Sequence, residues 1–348
     1  MHLGIEIGGT KLQIGVGLGN GSPVLDLRRC EVDQAAGAQG ILDQIAGLAP
    51  ELLQRWPIER VGIGFGGPVD YARGRAIESH SVEGWHDLAV AAWVERTFGR
   101  TAIVGQDCAI SALAEARYGA GRGASSVLYV TVGTGVGGGL ALDGNLYLGI
   151  GPAVAEIGQM RLGIVDPGPD VTVEAFASGP GLEAHARAHI GTDATAALWW
   201  DRSLPPESLD LDGREALLEA CAARLDALST RTVGHLAANG NGIARHVLTG
   251  AQQALGWAIA QAVTLVAPEV VVVGGGVSLL GEELFLAPLR REASRFVFPL
   301  MIDTFRVVPA ELGEAVVVQG ALTIAAEGRV PTYAGAPLPP LPRVGTHV

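Results

Sequence analysis

Lysine is almost absent from this sequence. Lys and Arg together number 24 in 348 residues, and Lys11 is the only lysine. Elsewhere the chain uses arginine for its cations, and a compact ammonium is not interchangeable with a planar guanidinium near a phosphate. Cysteine is scarce too: Cys30, Cys108 and Cys221 are isolated and no C-x-x-C pair exists. That argues against a disulfide framework and against a cysteine-rich zinc site. Positive charge is short overall. The formal net charge of −12 disfavours a nucleic-acid-binding surface and suits a soluble enzyme, in which an anionic substrate meets a local pocket of positive groups. Neither G-x-x-x-x-G-K-[ST] nor a helix-opening G-x-G-x-x-G stands at the N-terminus. No secretory signal precedes the strand pattern starting at Leu3, so a cytoplasmic protein is expected. The uncharged run at 246–268 is long enough to suggest a membrane span. Gln252, Gln253, Gln261 and Thr264 interrupt it, and Leu255, Ile259, Val263 and Val266 recur at helical spacing, which predicts a buried helix of a soluble core instead.

What is abundant is glycine, 50 residues, within a chain that is 48% hydrophobic. Such a composition describes a compact α/β protein with many tight turns, and the length favours two domains or two lobes. The most informative stretch is Gly4-Ile5-Glu6-Ile7-Gly8-Gly9-Thr10-Lys11-Leu12-Gln13-Ile14-Gly15-Val16, two short β-runs joined by a glycine turn. Gly8 and Gly9 carry no Cβ, so an anion can approach their backbone N–H groups. Thr10 adds a hydroxyl, Lys11 a charge and Glu6 a carboxylate, a set suited to phosphate and a metal ion.

Residues 24–32 predict a further strand and 40–55 a helix through Ile41, Ile45, Leu48 and Leu52. Val61-Gly62-Ile63-Gly64-Phe65 runs into the turn Gly66-Gly67-Pro68, residues 88–98 read as a helix, and 101–104 as a buried strand ending at Gly105-Gln106-Asp107. A small-residue helix is expected over 108–118, for which Asp107 would also be an acceptable N-cap. Residues 126–132, the turn Gly133-Thr134-Gly135-Val136-Gly137-Gly138-Gly139 and a return strand at 140–142 repeat the N-terminal strand–glycine turn–strand. That duplication implies two lobes facing one nucleotide. Residues 173–190 and 213–236 read as helices, 269–273 as a strand before Gly274-Gly275-Gly276, and 314–327 as a helix returning to the first lobe. His185 and His189, four apart on a predicted helix, suit a solvated face better than a metal pair. The proline-rich stretch 331–348 is expected to be extended or disordered.

The set Glu6-Ile7-Gly8-Gly9-Thr10-Lys11, Gly64-Phe65-Gly66-Gly67-Pro68-Val69-Asp70, Gln106-Asp107, Thr131-Val132-Gly133-Thr134-Gly135, Glu156-Ile157-Gly158-Gln159 and Glu174-Ala175-Phe176-Ala177-Ser178-Gly179 resembles the ROK family. That family comprises bacterial sugar kinases and related repressors. The resemblance implies an α/β protein of the actin-like, ribonuclease-H-like ATPase fold, two lobes with a nucleotide and sugar cleft between them. The division expected is a small lobe at 1–117, a large lobe at 118–313, a returning helix at 314–330 and a tail at 331–348. By the same resemblance, Gly8, Gly9, Thr10, Lys11, Gly133, Thr134 and Gly135 would cradle the ATP phosphates, and Gly274, Gly275 and Gly276 would lie near adenosine. Glu6, where the family usually has Asp, would help hold magnesium, commonly through water. Asp107 would be the general base, with Gly66, Gln106, Asp107, Glu156, Gln159 and Glu174 around the sugar.

One departure stands out. Gln159 replaces the family histidine and the cysteine zinc loop is missing, 166–170 reading Asp-Pro-Gly-Pro-Asp; no zinc is expected. ATP-dependent phosphorylation of a sugar hydroxyl, on a hexose or close relative, is therefore the leading reading, with a homodimer as the family default. A kinase for a non-hexose acceptor and a non-catalytic sugar or nucleotide sensor are the alternatives. A repressor is not expected, because the chain opens at the first strand.

Overall fold

Two five-stranded sheets of one topology carry the molecule. The first comprises β1 (His2–Ile7), β2 (Lys11–Gly17), β3 (Asp26–Glu31), β4 (Arg60–Phe65) and β7 (Thr101–Gln106), ordered β3-β2-β1-β4-β7. The second comprises β8 (Ser126–Val132), β9 (Val136–Leu142), β10 (Asn145–Leu146), β11 (Val270–Gly274) and β12 (Arg306–Pro309), ordered β10-β9-β8-β11-β12. Each opens with an antiparallel hairpin and continues with parallel strands beside the first. This is the actin-like, ribonuclease-H-like arrangement that the family resemblance implied, and its two matching sheets are the two lobes expected from the repeated hairpin. A short ribbon, β5 (Val69–Asp70) with β6 (Arg75–Ala76), follows β4. The computed structural model describes residues 1–79, 81–150, 153–163, 171–190, 211–221, 224 and 227–333.

Strand β4 explains its own packing. Val61, Ile63 and Phe65 point one way into a core with β1, β2, α1 (Gly37–Arg55) and α2 (Val90–Phe98). The alternate positions are glycines because helix α10 (Val316–Glu327) lies directly on them: a Cβ on Gly62 would stand 1.8 Å from Ala321 O. A Cβ on Gly4 of β1 would also crowd α10, 2.8 Å from Val318 O. Val318, Leu322 and Ile324 of α10 are wholly buried, each contributing about 1.5–3 kcal/mol by leaving water.

Helix α3 (Asp107–Tyr118) follows β7, yet it packs on β8 and β9 of the second sheet and against α10. The two helices thus form a shared layer, with α3 on the second sheet and α10 on the first. Glu115 of α3 is fully buried. Its carboxylate accepts the N–H groups of Ala120 at 2.8 Å, Leu312 at 2.9 Å and Glu311 at 3.3 Å. Burial still raises its pKa, against those backbone hydrogen bonds.

The outer side of the second sheet carries α4 (Val173–Ala177), α5 (Gly179–Ile190), α6 (Leu211–Ala220), α7 (Thr230–Ala238), α8 (Gly242–Val266) and α9 (Ala287–Phe296). Two long predicted helices are in fact split. Ser178 adopts ψ 161° between α4 and α5, and Ser229 caps α7 by accepting from Thr232 N. The uncharged run is α8, buried against α9 and α4. No helix among the described residues is long and apolar enough to cross a membrane. His185 corrects the solvated-face reading: it stacks on Phe176 at 4.6 Å, and burial pushes its pKa down to about 4. The 166–170 segment and the tail from 334 lie outside the described residues. The tail's start is fixed, because Leu146 N donates to Pro331 O and Leu146 bridges Thr332.

Candidate active site

The β1–β2 turn closes through Gly8 N to Lys11 O at 3.0 Å, and Gln34 braces it by donating to Gly9 O at 2.7 Å. A Cβ on Gly9 would meet the Cβ of Ser81 at 2.7 Å, so only glycine fits there. Thr10 is exposed, and an open groove of about 700 Å³ runs beside it, lined also by Lys11, Asp33 and Gln34. Lys11 Nζ stands 3.2 Å from Glu6 Oε1, and the Gln13 amide donates to Glu6 Oε2. Burial raises the Glu6 pKa, while Lys11 and Gln13 oppose the shift. The sequence singled out Glu6 and Lys11 but not Gln13. Its signal was a polar residue interrupting an apolar strand, on the face of Lys11 two positions earlier.

Gly66 joins this turn to Asp107. Its N–H donates to Ile7 O at 2.8 Å, and a Cβ on it would sit 3.5 Å from Gly8 Cα and 3.4 Å from Asp107 Oδ2. Asp107 is the first residue of α3, with Gln106 in the cap position. It is therefore not the N-cap, and its Oδ1 accepts the next N–H, of Cys108, at 2.7 Å. Burial pushes the Asp107 pKa up to about 6, the negative charges of Glu6 and Glu156 add to the shift, and the Cys108 hydrogen bonds oppose it. The residue is nevertheless only partly buried. A carboxylate poised near neutrality beside other carboxylates is a group able to accept a proton.

Gln106 Nε2 donates to Glu156 Oε1 at 2.9 Å, tying the end of β7 to the second lobe. Ala155, just before Glu156, holds φ +59°, a left-handed conformation an alanine rarely takes. Glu174 is engaged by the chain itself: Oε2 accepts Val136 N at 2.8 Å and Oε1 accepts Gln159 Nε2 at 3.4 Å. A Cβ on Gly135 would lie 2.7 Å from that Oε2. Gly179 N donates to Gly133 O at 2.8 Å, so the β8–β9 turn is held at both ends by the α4–α5 segment. Thr134 at its tip is exposed.

The third glycine turn packs on the second. Gly275 has φ +87° and its Cβ would lie 2.4 Å from Val132 O, while a Cβ on Gly274 would meet the Tyr129 hydroxyl at 2.6 Å. Gly276 has open space around it, and its N lies 3.8 Å from where a Gly133 Cβ would be. The expected site residues therefore form two groups. Glu6, the Gly8–Lys11 turn, Gly66 and Asp107 stand together, as do Glu156, Gln159, Glu174 and the turns at Gly133 and Gly274, with Gln106–Glu156 joining the groups. Among the described residues no cluster of three His, Cys, Asp or Glu side chains could hold a metal. Glu6 fits magnesium as one hard oxygen donor, with phosphates and water completing the shell.

The ROK family model matches residues 2–327. The glucokinase of Thermotoga maritima is 26% identical over 325 residues, covering 93% of this chain and 97% of that protein. The kanosamine kinase of Amycolatopsis mediterranei is 30% identical over 349 residues, covering 95% and 98%. Among solved structures, a ROK family glucokinase from Streptomyces griseus in complex with glucose and AMPPNP superposes with a TM-score of 0.78 at 28% identity, covering 94% of this chain and 99% of that one.

Proposed function

The chain belongs to the ROK family, and from that premise we propose that it transfers the γ-phosphoryl group of ATP to a hydroxyl of a hexose or close relative. The observation carrying this reading is the position of Asp107, adjoining the phosphate-type turn through Gly66 and the Gln106–Glu156 pair through the preceding residue. The names of the relatives, glucokinase and kanosamine kinase, support a sugar as acceptor. The AMPPNP complex of the Streptomyces griseus enzyme supports ATP as donor.

On this reading the Gly8–Lys11 and Gly133–Gly135 turns face the phosphates from the two lobes, the Gly8 and Gly133 N–H groups closing the turns while those of Gly9 and Gly135 donate to the phosphates, and Lys11 offsets their charge. Gly274 to Gly276 leave room for the nucleoside. Magnesium, bound with the nucleotide near Glu6, supplies charge neutralisation. Gln106, Glu156, Gln159 and Glu174 hold the sugar, because carboxylates and amides accept from its paired hydroxyls. Asp107 takes the proton of the attacking hydroxyl. Positioning and charge neutralisation supply most of the acceleration in phosphoryl transfer, and a general base adds about 10²–10⁴-fold.

A coupled ADP-release assay over hexoses, amino sugars and fructose tests this. We expect at least one sugar to raise turnover well above an Asp107→Asn control. Turnover that no sugar stimulates would sink the kinase reading.

A further inference from the structure

Gln13 has no part in the chemistry above, yet it is fully buried and lies directly opposite Glu6 in the β1–β2 pairing. Its amide nitrogen donates to Glu6 Oε2 and also to the backbone carbonyl of Glu314, the latter at 2.9 Å. A carboxylate and a carbonyl both demand donors, so the NH₂ must face them, and a hydroxyl, with a single proton, could not serve both.

Glu314 belongs to the connection by which the chain leaves β12 in the second sheet and enters α10 on the first. Glu115 of α3 holds the start of that connection through the N–H groups of Glu311 and Leu312. Arg29 of β3 pairs with the Glu314 side chain. The crossing between lobes is therefore gripped by α3 at one end and by the first sheet at the other. Gln13 extends that grip to Glu6, whose second oxygen rests on Lys11.

We propose that Gln13 is a positioning residue, fixing the Glu6 carboxylate against the inter-lobe crossing so that the metal–nucleotide site keeps its geometry when the lobes move. This rests on the kinase reading, because it takes the Gly8–Lys11 turn as the nucleotide site. Glu6 has one more rotatable bond than the family's usual aspartate, and two anchors on its two oxygens hold it in a single orientation.

The test compares the intact chain with Gln13→Met, which keeps side-chain length but removes both donors. Affinity for AMPPNP with Mn²⁺ is measured by calorimetry, beside kcat, KM and calorimetric sugar affinity for the best acceptor of the sugar panel. Hydrogen-bond partners of metal ligands typically change affinity or activity by about 10–100-fold. A loss of that size is expected in Mn²⁺–AMPPNP affinity and in kcat, with sugar affinity held within about twofold. Gln13→Asn, whose amide is too short to hold both acceptors, gives the same comparison should the methionine variant not fold. A folded variant with wild-type nucleotide affinity and kcat overturns the inference, and so does a parallel loss of sugar affinity, the mark of a merely structural role. Intact protein that binds neither nucleotide nor sugar fails differently: it removes the kinase reading and the inference together.

Discussion

Asp107 is where residue-scale chemistry can be checked most sharply. Asp107→Asn keeps the shape but cannot take a proton, so kcat should fall by roughly 10²–10⁴-fold, with nucleotide and sugar affinities nearly unchanged by calorimetry. The pH profile follows from the same carboxyl. Its pKa in the ligand-free protein is raised to about 6, and only the ionised form is a base, so kcat/KM should fall about tenfold per pH unit below that value and level off above it. An acid limb near the ordinary aspartate value would contradict the assignment. Glu6, Lys11 and Asp107 were legible in the sequence because each sits in a short local motif. Gln13 and Glu115 were not, because the partners that give them their role between the lobes, Glu314 and Leu312, lie 301 and 197 positions away. The left-handed Ala155 was likewise hidden, since alanine carries no local signal for that conformation.

The elements reveal where periodicity succeeds and where tertiary demand overrides it. The two hairpins were readable as apolar runs broken by glycine. The predicted helix over 173–190 was not one helix, because its break lets Gly179 N reach Gly133 O and hold the β8–β9 turn. A signal was present in Ser178-Gly179-Pro180, a run suited to a helix stop and restart. Why β4 alternates glycine with large apolar residues is answered only by α10 on its other face. Gly62→Ala would force a methyl within 1.8 Å of Ala321 O, and such overpacking typically costs about 1–3 kcal/mol. Urea denaturation of this variant should place the loss at the upper end of that range. A wild-type midpoint would mean that α10 shifts freely.

The molecule as a whole is two copies of one sheet topology, with α3 and α10 layered between them. The duplication was legible from the repeated hairpin. The seating of α3 on the second sheet was not, because a small-residue helix with little amphipathic contrast does not announce which sheet it will meet. With the chain crossing between sheets on either side of this layer, closure over two ligands is the motion the architecture favours. Small-angle scattering should therefore give a smaller radius of gyration with magnesium, AMPPNP and the acceptor sugar together than with no ligand. An unchanged radius would argue for a rigid cleft.

The solitary lysine has a consequence for proteolysis. A protease specific for lysine has a single bond to cut in this sequence, between Lys11 and Leu12 at the start of β2. Strand β2 pairs with both β1 and β3, so the bond is cleavable only while that corner of the sheet is open. The rate of this one cut is thus a clock for opening of the first hairpin, undisturbed by the rest of the chain. Nucleotide seated on the hairpin should slow that clock, and a sugar alone should affect it less.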